Sequence, residues 1–213
     1  MRLYHFLSSE HAFSSIALQR IKVSTVNDVN DPFEFEPYVA ENGNVRAQQL
    51  YDKRVMNSKT GFLCFCKSWD SPASWAHYAQ RHTGICLGFN VPKQQVRRIT
   101  YFHKRPNLLN ENDLSFDQIE TDVLFSKARD WAYEKEWRYC ISLDDCQKDN
   151  GLFFLPFSPY LELCEVILGV KCGYLKQTIT KLISSQPKAI VVRKAGKSES
   201  DFKIVEDHFY KEP

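Results

Sequence analysis

The 213 residues, 43% hydrophobic and 14% aromatic, suffice for one packed domain and exclude a disordered, collagen-like or low-complexity chain. Lys and Arg number 28 against 26 Asp and Glu, and a formal charge of +2 gives no global case for nucleic-acid or membrane binding, leaving only local patches to consider. No run approaches the ~18 apolar residues of a spanning helix, and MRLYHFLSSEHAF turns polar too early for a signal peptide.

In chain order, Leu3–Phe6 is short, apolar and aromatic and predicts a strand. Ser9 is the expected N-cap of a helix in which Phe13, Ile16 and Ala17 recur at helical spacing. Ile21–Ser24 alternates with period two, a second strand, and Asn30, Asp31 and Pro32 in VNDVNDPFEFEP favour turns. Val45–Met56 predicts a half-exposed helix. Gly61–Cys66 and Gly84–Phe89 predict buried strands, and between them Pro72 suits the first turn of a helix carrying Trp75 and Tyr78. Arg97–Phe102 predicts a further strand, and Ser115 the cap of a helix with Phe116, Ile119, Val123 and Leu124 on one side. Glu134–Leu143 alternates strongly, another strand. Val166–Leu168, Ala189–Arg193 and Lys203–Val205 complete the strands, and Tyr174–Ser185 is the last helix. Arg105–Asp113 and Ala195–Asp201 are expected to be flexible. Strands outnumber helices without alternating one for one, which predicts a single α+β domain over residues 1–213. Its mixed sheet is expected to be split or bent around a cleft. The seven cysteines lie mostly in apolar runs such as GFLCFC and GICLGF, so reduced thiols and a cytoplasmic location are expected.

Four constellations carry chemistry. On the strand expected at 134–143, alternation sets Glu134, Glu136 and Arg138 on one face and the core residues Trp137, Tyr139 and Ile141 on the other. Surrounding aromatics (Trp131, Tyr133) suggest a cleft wall rather than an open charge ladder. Asn30, Asp31 and Glu34 flank a Pro turn and are candidate substrate contacts. Trp75, Tyr78 and His82 recur near one helix face, with His77 and Arg81 on an adjacent stripe. His5 lies on the first strand. There is no GxGxxG, GxxxxGK[ST], HExxH or GxSxG, Cys64-x-Cys66 is the wrong spacing for a zinc knuckle, and His103-Lys104-Arg105 is too short a basic run to mark a nucleic-acid protein.

YHF at the start, NDPFE near residue 30, WAHYAQRHTGICLGF, SKARDWAYEKEWRY and EVILG together resemble the bacterial DUF2971 family, whose function is unknown. A second resemblance is to the ADP-ribosyltransferase superfamily: a strand with His5, a strand ending in Ser24, and Glu134-Lys-Glu136 are similar to its three-part signature. That resemblance implies an NAD-consuming transferase or glycohydrolase, NAD being its substrate and no metal being required. It implies that His5 and Ser24 hold the nicotinamide ribose and nicotinamide, and that Tyr78 or Trp75 stacks. Glu136 and Glu134 would be catalytic, and Arg138 would bind the pyrophosphate or hold Glu134. The acceptor is nucleic acid, protein or water, and the setting a toxin or antiphage defence effector with a partner protein from its operon. Two alternatives stay open: a metal-dependent nuclease or hydrolase using Asp31, Glu34, Glu134 and Glu136 as oxygen ligands, and a non-catalytic sensor or interaction module.

Overall fold

Apolar runs in the first two-thirds of the chain set the strands Arg2–Leu7 (β1), Arg20–Val23 (β2), Thr60–Cys66 (β3) and Ile85–Asn90 (β4). These are followed by Arg97–Arg98 (β5), Thr100–Phe102 (β6), Ser126–Ala128 (β7), Glu136–Ser142 (β8), Gln147–Asp149 (β9), Leu152–Pro156 (β10), Glu162–Leu168 (β11), Val191–Lys197 (β12) and Ile204–Glu206 (β13). The helices are Ser9–Leu18 (α1), Gly43–Lys59 (α2), Pro72–Tyr78 (α3) and Lys176–Ile183 (α4). The computed structural model describes residues 1–36, 38–39, 43–105, 122–186 and 188–212.

One open mixed sheet runs through the molecule in the order β13–β12–β11–β4–β1–β3–β8–β5, with β11 and β12 parallel and the other neighbours antiparallel. This is the α+β arrangement expected, and not a doubly wound sheet. Its two halves are unequally joined. β1 pairs with β4 from Arg2↔Asn90 to Leu7↔Ile85, and β3 with β8 from Thr60↔Ser142 to Cys66↔Glu136, but β1 and β3 share only the register pair Tyr4↔Cys66. Across that weak seam the His5 ring Nδ1–H donates to the Cys64 carbonyl at 2.7 Å.

One face of the sheet carries Leu3, Leu63, Phe65, Leu87, Phe89 and Val166, packed against Ile16 of α1 and Ile179 of α4. Each such side chain contributes about 1.5–3 kcal/mol on burial. The opposite face holds two smaller cores, Phe6–Trp75–Cys86–Ile167 under α3 and Val26–Phe35–Phe62–Leu124 beyond β3. A cleft is left between them.

Several boundaries differ from those read in the sequence. Ser8, not Ser9, caps α1, its hydroxyl accepting the His11 N–H at 3.1 Å. The segment 97–102 is two strands: β5 edges β8, while β6 pairs with β7 in a separate ribbon, because buried Ile99 gives its N–H to the Glu136 carbonyl and turns the chain between them. The strand expected from Glu134 begins only at Glu136, since Arg129–Glu134 is a 3-10 helix closed by left-handed Lys135. Residues 195–197, expected to be flexible, lie in β12, with Ala195 buried. The helix expected at Ser115 lies outside the described residues apart from 122–125, which are helical, and 106–113 of the other flexible segment also lie outside them. All seven cysteines are unbridged, and among the described residues no helix is long and apolar enough to cross a membrane.

Candidate active site

The roof of the cleft is α3. Ser71 caps it, accepting the Ser74 N–H at 3.2 Å, and Pro72 sits in its first turn. The helix stops at Tyr78, and Gln80, Arg81 and His82 follow with positive φ, so His82 does not continue the face of Trp75 and Tyr78 as the spacing predicted. Gly84 receives the chain, because a Cβ there would lie 2.2 Å from the Leu7 carbonyl. Trp75 points inward. It is fully buried, gives its indole N–H to the Trp69 carbonyl at 2.6 Å and meets Phe6 edge-on at 5.1 Å. It is a core residue, out of reach of a bound nicotinamide. Tyr78 instead faces the cleft, and its hydroxyl donates to Glu134 Oε1.

The floor is a buried charge cluster. Lys127 on β7 places Nζ 2.8 Å from Glu134 Oε2, 3.3 Å from Glu136 Oε2 and 3.7 Å from Glu34 Oε2, with the Trp131 ring centroid at 4.9 Å. Arg138 on β8 has no exposed surface. Its Nε and Nη2 reach Glu136 Oε1 at 2.9 and 2.8 Å, Nη2 also donates to Glu34, and Nη1 donates to the Leu124 carbonyl at 2.7 Å. The guanidinium lies between the rings of Phe35 and Phe62, 5.2 and 5.0 Å from their centroids. Three carboxylates thus meet two cations, leaving an excess acid on a desolvated wall.

The cluster divides its protons unevenly. Burial alone would raise the Glu136 carboxyl, but Arg138 and Lys127 outweigh it and hold Glu136 below the usual carboxylate range. At Glu34 burial wins over the same cations and the carboxyl is pushed up. Burial would depress the Lys127 amine, yet Glu136, Glu34 and Glu134 together hold it above its ordinary value. Burial, reinforced by Glu134, raises the Tyr78 phenol, so it donates rather than ionises. His5 is kept neutral by burial, and because Nδ1 donates to Cys64, its Nε2 is an acceptor.

The cleft has a free volume of ≈ 360 Å³ and opens at the β1–β3 seam. Its walls include His5, Ser24, Asn30, Glu34, His77, Tyr78, Glu134 and Glu136, all singled out in the sequence, and also Tyr4, Cys64, Cys66 and Lys127. Ser24 is anchored by paired backbone bonds with Phe62 at 3.0 and 2.8 Å.

Three sequence assignments fail for physical reasons. Trp75 is packed in the core. Arg138 does share a face with Glu136, but every nitrogen of its fork is already engaged below the cleft, so it holds carboxylates rather than a pyrophosphate. Asp31 is buried in its own turn, with Oδ1 accepting the Phe33 N–H at 2.9 Å, and does not line the cleft. Glu134 reaches the cluster from the 3-10 helix rather than from a strand face. The residue sequence reasoning missed is Lys127. Its only signal was a lysine in FSKA, between Phe125 and Trp131. The four carboxylates of the metal alternative do not come together, since Asp31 stands apart and the other three are bonded to Lys127 and Arg138. Among the described residues no group of three or more His, Cys, Asp or Glu is arranged to hold a metal ion.

The model of the DUF2971 family, described as a protein of unknown function, matches residues 74–139. That stretch carries α3, Tyr78, Lys127, Glu134, Glu136 and Arg138 but not β1 or residues 24–34, and it supports the family resemblance without bringing an activity. No curated protein and no solved structure matches the chain, so the ADP-ribosyltransferase resemblance has no counterpart among known relatives.

Proposed function

We propose that the cleft is the active site of an NAD-consuming, ADP-ribosyltransferase-like enzyme that releases nicotinamide and passes the ADP-ribosyl group to an acceptor or to water. The observation that carries this reading is the convergence of His5, Ser24, Tyr78 and Glu136, from four separate segments, on one cleft at a sheet seam. In this reading His5 Nε2 accepts a ribose hydroxyl, Ser24 supports the nicotinamide, and Tyr78 stacks on it. The C1′–N bond breaks with its electron pair leaving on nicotinamide, and positive charge develops on the ribose. Glu136, held ionised by Arg138 and Lys127, lies on that wall, where a fixed carboxylate in a site of low dielectric stabilises the charge as it forms. Glu134 takes the proton of the attacking acceptor hydroxyl or amine.

The test is nicotinamide release from NAD by the purified protein and by Glu136→Gln, which keeps size and hydrogen bonding. Loss of ~10²–10³ in rate is expected. No release by the wild-type protein, or an unchanged rate in the variant, refutes the reading and leaves a binding module.

A further inference from the structure

The formal charge of the chain hides a strongly basic strip. Between Lys93 and Arg105 there are five Lys or Arg, one His and no Asp or Glu. In the sequence only His103-Lys104-Arg105 stood out. Arg97 and Arg98 precede it on β5, the outer edge of the large sheet beside β8, and β6 follows in a separate ribbon with β7. Arg97, Arg98, His103 and Lys104 are exposed, and among the described residues none of them forms an ion pair.

The strip ends in a second hollow, ≈ 160 Å³, lined by Phe33, Phe102, His103, Lys104, Arg105 and Lys127 among others. Phe33 and Phe102 are 57% and 37% exposed there, a cost in solvation that packing does not repay. Glu36 is the acid in this lining, and Lys53 neutralises it at 3.0 Å. Arg105 forms the floor, giving hydrogen bonds to the Glu36 and Tyr38 carbonyls. Lys127 lines both the hollow and the cleft, and its ammonium is bonded to Glu134 at 2.8 Å.

We propose that this hollow binds a single-stranded nucleic acid, with an unpaired base against Phe33 and Phe102 and its backbone along His103 and Lys104. Exposed phenylalanine faces beside unpaired cations suit stacked bases, which any sequence supplies, and they are closed to the paired bases of a duplex. An acidic peptide offers the charge without the ring. Resting on the NAD reading, the same strand is the acceptor, since Lys127, which lines both cavities, is bonded to Glu134.

The test is fluorescence anisotropy of a labelled single-stranded oligonucleotide, DNA or RNA, with no NAD present. Phe102→Ala is expected to weaken binding about tenfold. Lys104→Ala should reduce the slope of log K against log salt by ~0.7. Circular dichroism melts establish that both variants fold. Equal affinity for a duplex or for polyglutamate, or unchanged binding by Phe102→Ala, overturns the proposal. Nicotinamide release is measured separately without oligonucleotide, so a failure of NAD cleavage and a failure of nucleic-acid binding are read in different assays. If both activities are present, transfer of label from NAD to the bound strand is expected, and its absence overturns the acceptor assignment.

Discussion

Lys127→Met is the perturbation that reads the charge cluster most directly. Methionine keeps the unbranched stem against Trp131 and removes only the ammonium. At an effective dielectric of about 20, one ammonium–carboxylate pair at ~3 Å is worth about 5–6 kcal/mol before desolvation. Lys127 makes contacts of 2.8 and 3.3 Å with Glu134 and Glu136 and one of 3.7 Å with Glu34. Removing one partner of a buried pair costs about 3–5 kcal/mol in practice, because the remaining charge stays desolvated. We expect that loss at pH 7.5, a large share of the ~5–15 kcal/mol of a typical domain. The loss should shrink in acid. In the wild type Glu136 has a depressed carboxyl, so its contribution is present above the unfolded value near 4.5 and is lost as the pH falls through the folded one. In the variant Glu34, already raised by burial, loses one of its two cations and rises further, and that penalty appears only as the pH rises through the raised value. The first effect sets in only below pH 4.5, so at pH 5 it is the second that narrows the gap between the proteins. Urea denaturation of the two proteins at pH 7.5 and 5 measures it. A difference below 1 kcal/mol, or one equal at both pH values, would show that Lys127 does not hold the cluster together.

Glu134→Gln should impair transfer while sparing NAD hydrolysis, a separation visible when nicotinamide release and labelling of the acceptor are followed together. Trp75→Ala should cost about 3–5 kcal/mol in chemical denaturation, whereas Trp75→Phe should leave nicotinamide release within a few-fold of wild type, because the ring packs the core and does not touch the cleft. Free-thiol titration under denaturing, non-reducing conditions should count seven. In the native protein at pH 8, Cys64, Cys66 and Cys86 should react slowest, since burial raises all three thiols, Cys66 to about 12.

The strands legible in the sequence were those with an uninterrupted hydrophobic pattern. β1, β3 and β4 are apolar because they lie at the centre of the sheet. β9 and β10 were missed because Gln147–Asp149 is polar and Leu152–Pro156 ends in proline, although β10 lies between β2 and β9 in a separate three-stranded sheet. The site was legible where identity and local chemistry agreed. Glu136 and Arg138 share a face by simple alternation, and Tyr78 follows Trp75 by one helical turn. The sequence could not tell which of that pair faced inward, because α3 contacts a core on one side and a cleft on the other. Nor could alternation place Glu134, whose approach depends on one left-handed residue, Lys135. Lys127 was invisible for a deeper reason: a lysine is buried only when its counter-ions are, and those come from residues 34, 134 and 136, which no local window brings together.

That dependence also explains why the cluster holds five charges rather than one. A single buried glutamate would take up a proton and lose the field that makes it useful. Arg138 makes two bonds to Glu136 and one to Glu34, and the second cation, Lys127, also lies closer to Glu136 than to Glu34, at 3.3 against 3.7 Å. The two carboxyls are driven apart, Glu136 downward and Glu34 upward. Glu34 is thereby the group able to keep or release a proton, and Glu136 the one that stays anionic through the working pH range. Two acids in one cavity with opposed shifts are how an active site obtains a constant negative charge and a proton reservoir from the same residue type. In this protein the asymmetry is set by burial and Arg138, with Lys127, an amine on a three-residue strand, adding to it.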